Sequence, residues 1–520
     1  MKKQHLLRIV VAVGVLAWLG YAQFKHRTIA ATRLGSAPAS AVLASTAPTP
    51  TRRLGTLEFT PCTLAPKMSA DTVEAQCASL AVPEDYAHPA GRKIQLALAW
   101  VPAKNEDAAD PVFLLAGGPG QSARDSYPPI ARAFEETLKK RNVILLDQRG
   151  TGGSHPLTCK DNSVVNAVTE EQADDSPDAI RRFTEHCRDA LSRDTDLRFY
   201  TTTDAIQDLD TVRRAIGAEK INLVGISYGT RVAQQYARRY PQHTRTVVLD
   251  SVAPNELILG NEFARNLEDA LDANFRRCQL DAHCNARMGN PREHLDALLG
   301  QLKAAPVPVS YRDPMTGELL QENLTRGHLA VVARMYAYLP MLAASLPLTL
   351  SEAAKGHYES LMAQAKMMSG ALGDSIMLGM QLSVMCAEDA DGLRADPAYA
   401  DSVLGNELIE VFRAQCAVWP KGARPADFHQ PFKSDLPVLV LEGEFDPVTP
   451  PRYGQQVVKN LRNGRLLILR GQGHNVIPIG CMPKLMARFI DTADAKTLNA
   501  RCLDKLPYTP PFTSFNGWDP

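Results

Sequence analysis

Seven apolar, β-branched runs of strand length recur along the chain, each bounded by Gly, Pro or Asp. They are Ile94 to Val101, Val112 to Ala116, Val143 to Leu146, Ile221 to Val224, Thr246 to Leu249, Val438 to Leu441 and Leu466 to Leu469. Helical periodicity lies between them, and this alternation predicts an α/β fold with a mostly parallel central sheet flanked by helices. Between the fifth and sixth runs the strand rhythm stops. Helix-like segments replace it, among them Glu262 to Arg277, His294 to Lys303 and His328 to Ala344. We read this stretch as a large, mainly helical cap inserted between two late strands of one sheet, because the strand pattern resumes after it. An independent second domain is the alternative.

The amino end departs from this pattern. Lys2, Lys3 and Arg8 precede an apolar run from Ile9 to Leu19, and Gly20-Tyr21-Ala22 has the form of a small-x-small cleavage site. This reads as an export signal, with an uncleaved anchor as the alternative; the run is shorter than the roughly 20 residues of a full membrane span. From Thr28 to Arg53 the chain is rich in Ala, Ser, Thr and Pro, as in a flexible tether. Lys plus Arg and Asp plus Glu both number 57, so the 520 residues carry no net charge and no electrostatic case for nucleic acid exists. Ten cysteines fit export to an oxidising compartment. Pairing each with its neighbour, as Cys62/Cys77, Cys159/Cys187, Cys278/Cys284, Cys386/Cys416 and Cys481/Cys502, would close five modest loops; spacing does not prove that connectivity. There is no Cys-x-x-Cys, and the histidines do not cluster at ligand spacing, so a zinc site is the weaker reading.

The strand Ile221 to Val224 runs into Gly225-Ile226-Ser227-Tyr228-Gly229 and then into a helical pattern, Arg231 to Tyr240. Gly-x-Ser-x-Gly alone is weak, but between strand and helix it describes a turn so sharp that the serine is pushed out of the sheet edge. A serine hydroxyl needs a base to take its proton and a third group to hold that base. Two later strands supply candidates. Val438 to Leu441 leads to Asp446 in a Pro-rich loop, with Glu442 and Glu444 as competitors nearer the sheet; Leu466 to Leu469 leads to His474 between glycines and Asn475. Acyl transfer also needs N–H donors for the developing oxyanion. Tyr228 N–H follows the nucleophile, and Gly117-Gly118-Pro119-Gly120, after the strand Val112 to Ala116, provides a second donor, assigned to Gly118. The charges of Asp147-Gln148-Arg149-Gly150-Thr151-Gly152 are expected to brace loops.

These motifs, in this order, resemble the proline iminopeptidase and tripeptidyl aminopeptidase family of α/β-hydrolases, and most of all its exported tripeptidyl aminopeptidase-like branch. The likeness spans roughly Thr60 to Cys502. It implies an α/β-hydrolase core in two parts, 57–254 and 431–520, with a cap at 255–430, a linker at 28–56 and a signal peptide or N-terminal anchor at 1–27. It implies an exported serine exopeptidase, periplasmic or secreted, that takes peptide substrates with a free N-terminus. The substrate's ammonium would then need a negative group. Cys386-Ala387-Glu388-Asp389 resembles the family's Cys-x-Glu/Asp segment, which makes Glu388 the expected amine anchor and Asp389 the fallback. The chemistry requires no cofactor and no metal, and no membrane partner is expected beyond the possible anchor. Two rivals remain: an exported carboxylesterase or lipase with the same triad, and a silent binding module on a hydrolase scaffold.

Overall fold

The computed structural model describes residues 51–66, 70–105, 108–159 and 176–518, so the expected signal or anchor and most of the expected linker lie outside the described residues. Ten strands form the main sheet: β1 (Arg52–Leu54), β2 (Leu57–Leu64), β3 (Val73–Pro83), β4 (Lys93–Val101), β5 (Ala109–Leu115), β6 (Arg141–Leu146), β7 (Ile221–Ile226), β8 (Thr244–Asp250) and, after the cap, β11 (Ser434–Gly443) and β12 (Leu461–Leu469). The cap carries a separate hairpin of β9 (Val307–Arg312) and β10 (Leu319–Leu324). The sheet order is β1-β2-β3-β4-β6-β5-β7-β8-β11-β12. Pairing is antiparallel from β1 to β6 and parallel from β6 onward.

The central strands read as unbroken apolar runs because both of their faces are covered. Phe113, Leu115, Ile144, Leu146, Leu223, Val247 and Leu249 belong to one core. Their chain neighbours Val112, Leu114, Val143, Leu145, Val224 and Val248 belong to another, on the opposite face. Helices α1 (Pro177–Leu191), α2 (Thr202–Ala215) and α3 (Tyr228–Arg239) belong to the first part of the core. The cap, with α4 (Phe263–Leu280), α5 (Arg326–Ala337), α6 (Leu378–Glu388) and α7 (Glu407–Val418) among its helices, has a core of its own around Leu267, Phe275, Leu295, Tyr311 and Leu361, whereas Leu382 and Val384 of α6 and Ile409 and Phe412 of α7 join the first core of the main sheet. Helices α8 (Pro451–Val458) and α9 (Met482–Thr492) complete the second part. Among the described residues no helix is long and apolar enough to cross a membrane. All ten cysteines are paired, each with its neighbour along the chain.

Two sequence expectations need correction, and the mainly helical cap holds one element the sequence did not reveal. The end of the expected linker is not a tether: Arg52–Leu54 turns back at Gly55 (φ 59°) to pair with Leu57–Phe59, and the Arg52 guanidinium lies 4.6 Å from the centre of the Trp100 ring. The cap contains the β9/β10 hairpin, hidden in the sequence by Pro308 and by alternating exposed positions. The segment His328 to Ala344 is not one helix, because Leu339, preceding Pro340, takes extended angles (φ −123°, ψ 126°) and separates α5 from a short turn at Pro340–Ala343. Steric conflict with the proline ring disfavours the helical region at that position.

Candidate functional site

Ser227 sits between β7 and α3 at φ 55° and ψ −123°, a region costly for any residue with a Cβ. The turn closes only because its flanks are glycines. A Cβ on Gly229 would fall on the Leu115 carbonyl oxygen, and one on Gly225 would meet Thr230 N at 2.8 Å. The Ser227 N–H donates to the Asp250 carbonyl (2.9 Å), and the Thr230 hydroxyl donates to the Ser227 carbonyl (2.5 Å). Strained geometry held by surrounding bonds is the usual condition of a functional turn.

Asp446 follows β11, which pairs parallel with β8, and His474 follows β12, which pairs parallel with β11, so all three residues lie at the carboxyl edge of the sheet. His474 Nδ1 is 2.8 Å from Asp446 Oδ2. With Nδ1–H donated to the carboxylate, Nε2 is left as the acceptor, the tautomer a general base requires. Asp446 also accepts the N–H groups of Val448 and Thr449 (2.8 Å each) and the Thr449 hydroxyl (3.0 Å). Burial alone would raise its pKa, but the His474 charge and these bonds outweigh that and hold it below its ordinary value. Burial pulls the His474 pKa down; the charges of Asp446 and Asp250 overcome it and leave it above the usual imidazole value. The cap holds the histidine loop: His474 N–H donates to the Tyr338 carbonyl (2.9 Å), and the Tyr338 ring stands edge-on to the imidazole at 5.1 Å.

The glycine loop after β5 lies against the elbow. A Cβ on Gly117 would come within 3.2 Å of Ser227 Cβ, and Gly118 adopts φ 106°, an angle glycine supplies without strain. Tyr228 opens α3, where the first N–H groups have no acceptor inside the helix. A cis peptide joins Gly118 to Pro119, and Met377 N–H from the cap donates to the Gly120 carbonyl at 2.9 Å. Of the neighbouring charged loop, Arg149 is fully buried, doubly bonded to Asp208 at 2.7 Å, and donates to the carbonyls of Glu84 and Phe199, while Asp147 accepts from Ser122, Arg124 and Gly153. These residues brace loops.

Glu388 and Asp389, at the end of α6, are fully enclosed. Glu388 accepts the Thr202 N–H (2.7 Å) and hydroxyl (3.0 Å), and the same hydroxyl lies 2.6 Å from the Tyr228 phenol oxygen. The pair therefore sits behind the residue that follows the nucleophile. Arg231, on α3, is 2.8 Å from Asp389 and 4.0 Å from Glu388. Burial, with the Asp389 charge beside it and against the pull of Arg231, raises the Glu388 pKa to about 8.

Sequence reasoning missed Thr449, Tyr338 and Asp250. Thr449 Oγ1 bonds Asp446 and lies 3.3 Å from His474 Nδ1. Asp250 offered one signal, its place at the carboxyl end of a parallel strand, where ligands and reacting groups collect in open α/β sheets.

A serine on a strained elbow, packed against a glycine loop and sharing a sheet edge with an aspartate–histidine pair, defines an α/β-hydrolase. The chain belongs to the α/β hydrolase fold family, which it matches over residues 110–480. Among curated proteins it is similar to the serine protease Hip1 of Mycobacterium tuberculosis, with 26% identity over 483 residues that cover 86% of this chain and 91% of that one. It is also similar to the tripeptidyl aminopeptidase of Streptomyces lividans, with 24% identity over 431 residues, 76% of this chain and 77% of that one. The crystal structure of proline iminopeptidase from Mycobacterium smegmatis aligns with 80% of this chain and 98% of that one, at 16% identity and a TM-score of 0.39.

Proposed function

We propose that this chain is an exported serine exopeptidase that releases residues, as tripeptides or proline-containing units, from free peptide N-termini. Ser227 Oγ gives its proton to His474 Nε2 and attacks the scissile carbonyl carbon, while Asp446 stabilises the imidazolium. The carbonyl oxygen takes up negative charge between Tyr228 N–H and Gly118 N–H. The C–N bond then breaks as His474 returns the proton to the departing amine. Water, deprotonated by His474, attacks the acyl ester and regenerates the serine.

The observation that carries this reading is the 2.8 Å Asp446–His474 bond, with the histidine loop tied to the same residue, Asp250, as the Ser227 elbow. The names of the Streptomyces and mycobacterial relatives favour a peptidase, and five disulfides favour an oxidising compartment. For the substrate's ammonium we assign Glu388, with Asp389 beside it. An arriving cation would favour ionisation of a carboxyl whose pKa stands at about 8, and Asp389 Oδ1 is buried without a hydrogen-bond partner.

The test compares kcat/KM for mono-, di- and tripeptide anilides, with and without proline beside the bond, against a short-chain nitrophenyl ester. Free-amine peptides are expected to be preferred, Ser227→Ala to abolish turnover, and Glu388→Gln to lower the free-amine to N-blocked ratio by roughly tenfold or more. Preference for the ester with no need for a free amine would replace this reading with an esterase. An unchanged ratio would remove Glu388 from its role.

A further inference from the structure

We propose that Asp250 and Ser251 form a positioning junction for the triad. One backbone carbonyl, one carboxylate, one hydroxyl and one N–H hold the elbow, the histidine loop and the strand leading to Asp446 in mutual register, and the Asp250 carboxylate, bonded to the backbone two and three residues after His474, puts a second negative charge on the histidine loop.

The junction rests on a concentration of bonds at the end of β8. The Asp250 carbonyl accepts the Ser227 N–H (2.9 Å). Its carboxylate accepts the N–H of Val476 through both oxygens and that of Ile477, at 2.9 Å each. Ser251 N–H donates to the Leu441 carbonyl of β11 (2.8 Å), and Ser251 Oγ accepts the Asn475 N–H (2.9 Å). Ser251 and Asn475 both hold positive φ, 60° and 68°, without being glycine, so the surrounding bonds must impose their conformations. Two adjacent residues thus touch the elbow, the histidine loop and the strand that leads to Asp446.

Asp250 is also chemically unusual. It is fully buried, which pushes its pKa up to about 6, its bonds come from backbone amides and, at 3.4 Å, the Ser251 hydroxyl, and among the described residues no cationic side chain lies within ion-pair distance. A buried carboxylate without a counter-ion is costly. The imidazolium formed at His474 in each turnover is the cation it would meet. The other ionisable groups here are Asp446 and Glu442 from β11 and its loop, and Arg334 from the cap helix α5. Burial, and after it the Asp446 charge, push Glu442 well above its ordinary value, toward the neutral form, and Arg334 opposes the carboxylates at His474. Removing the Asp250 charge leaves Asp446 alone to favour the protonated imidazole.

This inference takes the triad of the proposed function as given, and the experiment separates the two. The rate at which a fluorophosphonate labels Ser227 is measured against pH for the wild-type chain, Asp250→Asn and Ser251→Ala, with melting temperature as the check on folding. Asp250→Asn keeps one acceptor oxygen and loses the charge. It should label about tenfold more slowly at neutral pH, and the acid limb of its profile, which reports the histidine, should move to lower pH by about half a unit or more. Ser251→Ala should slow labelling about threefold with the limb in place. Unlabelled wild-type protein would sink the nucleophile reading and this one with it. Labelled wild type, with the acid limb of a folded Asp250→Asn unmoved, would sink this inference alone. If Asp250→Asn does not fold, Ser251→Ala decides, and a wild-type labelling rate overturns the junction.

Discussion

At the scale of single residues, the site separates like groups by environment. Asp446 and Glu442 lie four positions apart in one buried region, yet one is held ionised by His474, Thr449 and Val448 while the other is driven toward its neutral form by burial. The sequence offered both as acids, and only the hydrogen bonds choose between them. Asp446→Asn should therefore lower kcat/KM by about 10³–10⁴-fold with the fold intact, because the imidazole would lose the group that fixes its tautomer. Glu388 allows a test by stability. Its pKa rises from 4.5 to about 8 on folding, so between those values the folded chain binds more protons than the unfolded one. That contribution is complete below the lower value and disappears as pH climbs through the higher. Melting temperatures followed over this range should fall less steeply in Glu388→Gln than in the wild type.

At the scale of elements, legibility followed burial. The runs of β5, β6, β7, β8 and β11 were visible because both faces of each strand are covered, and the carboxyl ends of β7, β11 and the edge strand β12 located Ser227, Asp446 and His474. β2 and β3 were not, since antiparallel strands toward an edge carry polar residues on an open face: Thr60, Pro61 and Thr63 of β2 are exposed. The contacts of Asp250 were equally hidden, because they need the spatial order β7-β8-β11-β12, which no local pattern encodes. The break before Pro340 was misread as continuous helix, and it has a role. It leaves the Tyr338 carbonyl outside a helical ladder, free to receive the His474 N–H. Pro340→Ala lifts the restraint on Leu339, and we expect about a three- to tenfold drop in kcat/KM with little change in melting temperature. Unchanged kinetics would mean that the carbonyl stays in place without the proline.

At the scale of the whole molecule, the carboxyl-terminal segment joins cap to core. Tyr508 stacks on Phe445, the neighbour of Asp446, at 5.8 Å and 17°, and donates to Glu444 (3.2 Å). The guanidinium groups of Arg277, from the cap, and Arg470, from the histidine loop, lie 4.0 and 4.4 Å from its ring centre. Phe512 N–H donates to the Ala344 carbonyl of the cap at 2.9 Å. Tyr508→Ala should lower the unfolding free energy by about 2–3 kcal/mol, read by denaturant titration, and reduce kcat/KM, while Tyr508→Phe, which keeps the ring, should stay within about 1 kcal/mol of wild type. The disulfides lead to a different conclusion. Each cysteine is bonded to the next one along, with separations between 6 and 30 residues. A polypeptide threaded amino end first into an oxidant would present every thiol with its rightful mate before any rival had emerged. Correct covalent topology is then a matter of timing, and the order of synthesis does work that would otherwise fall to a catalyst of disulfide exchange.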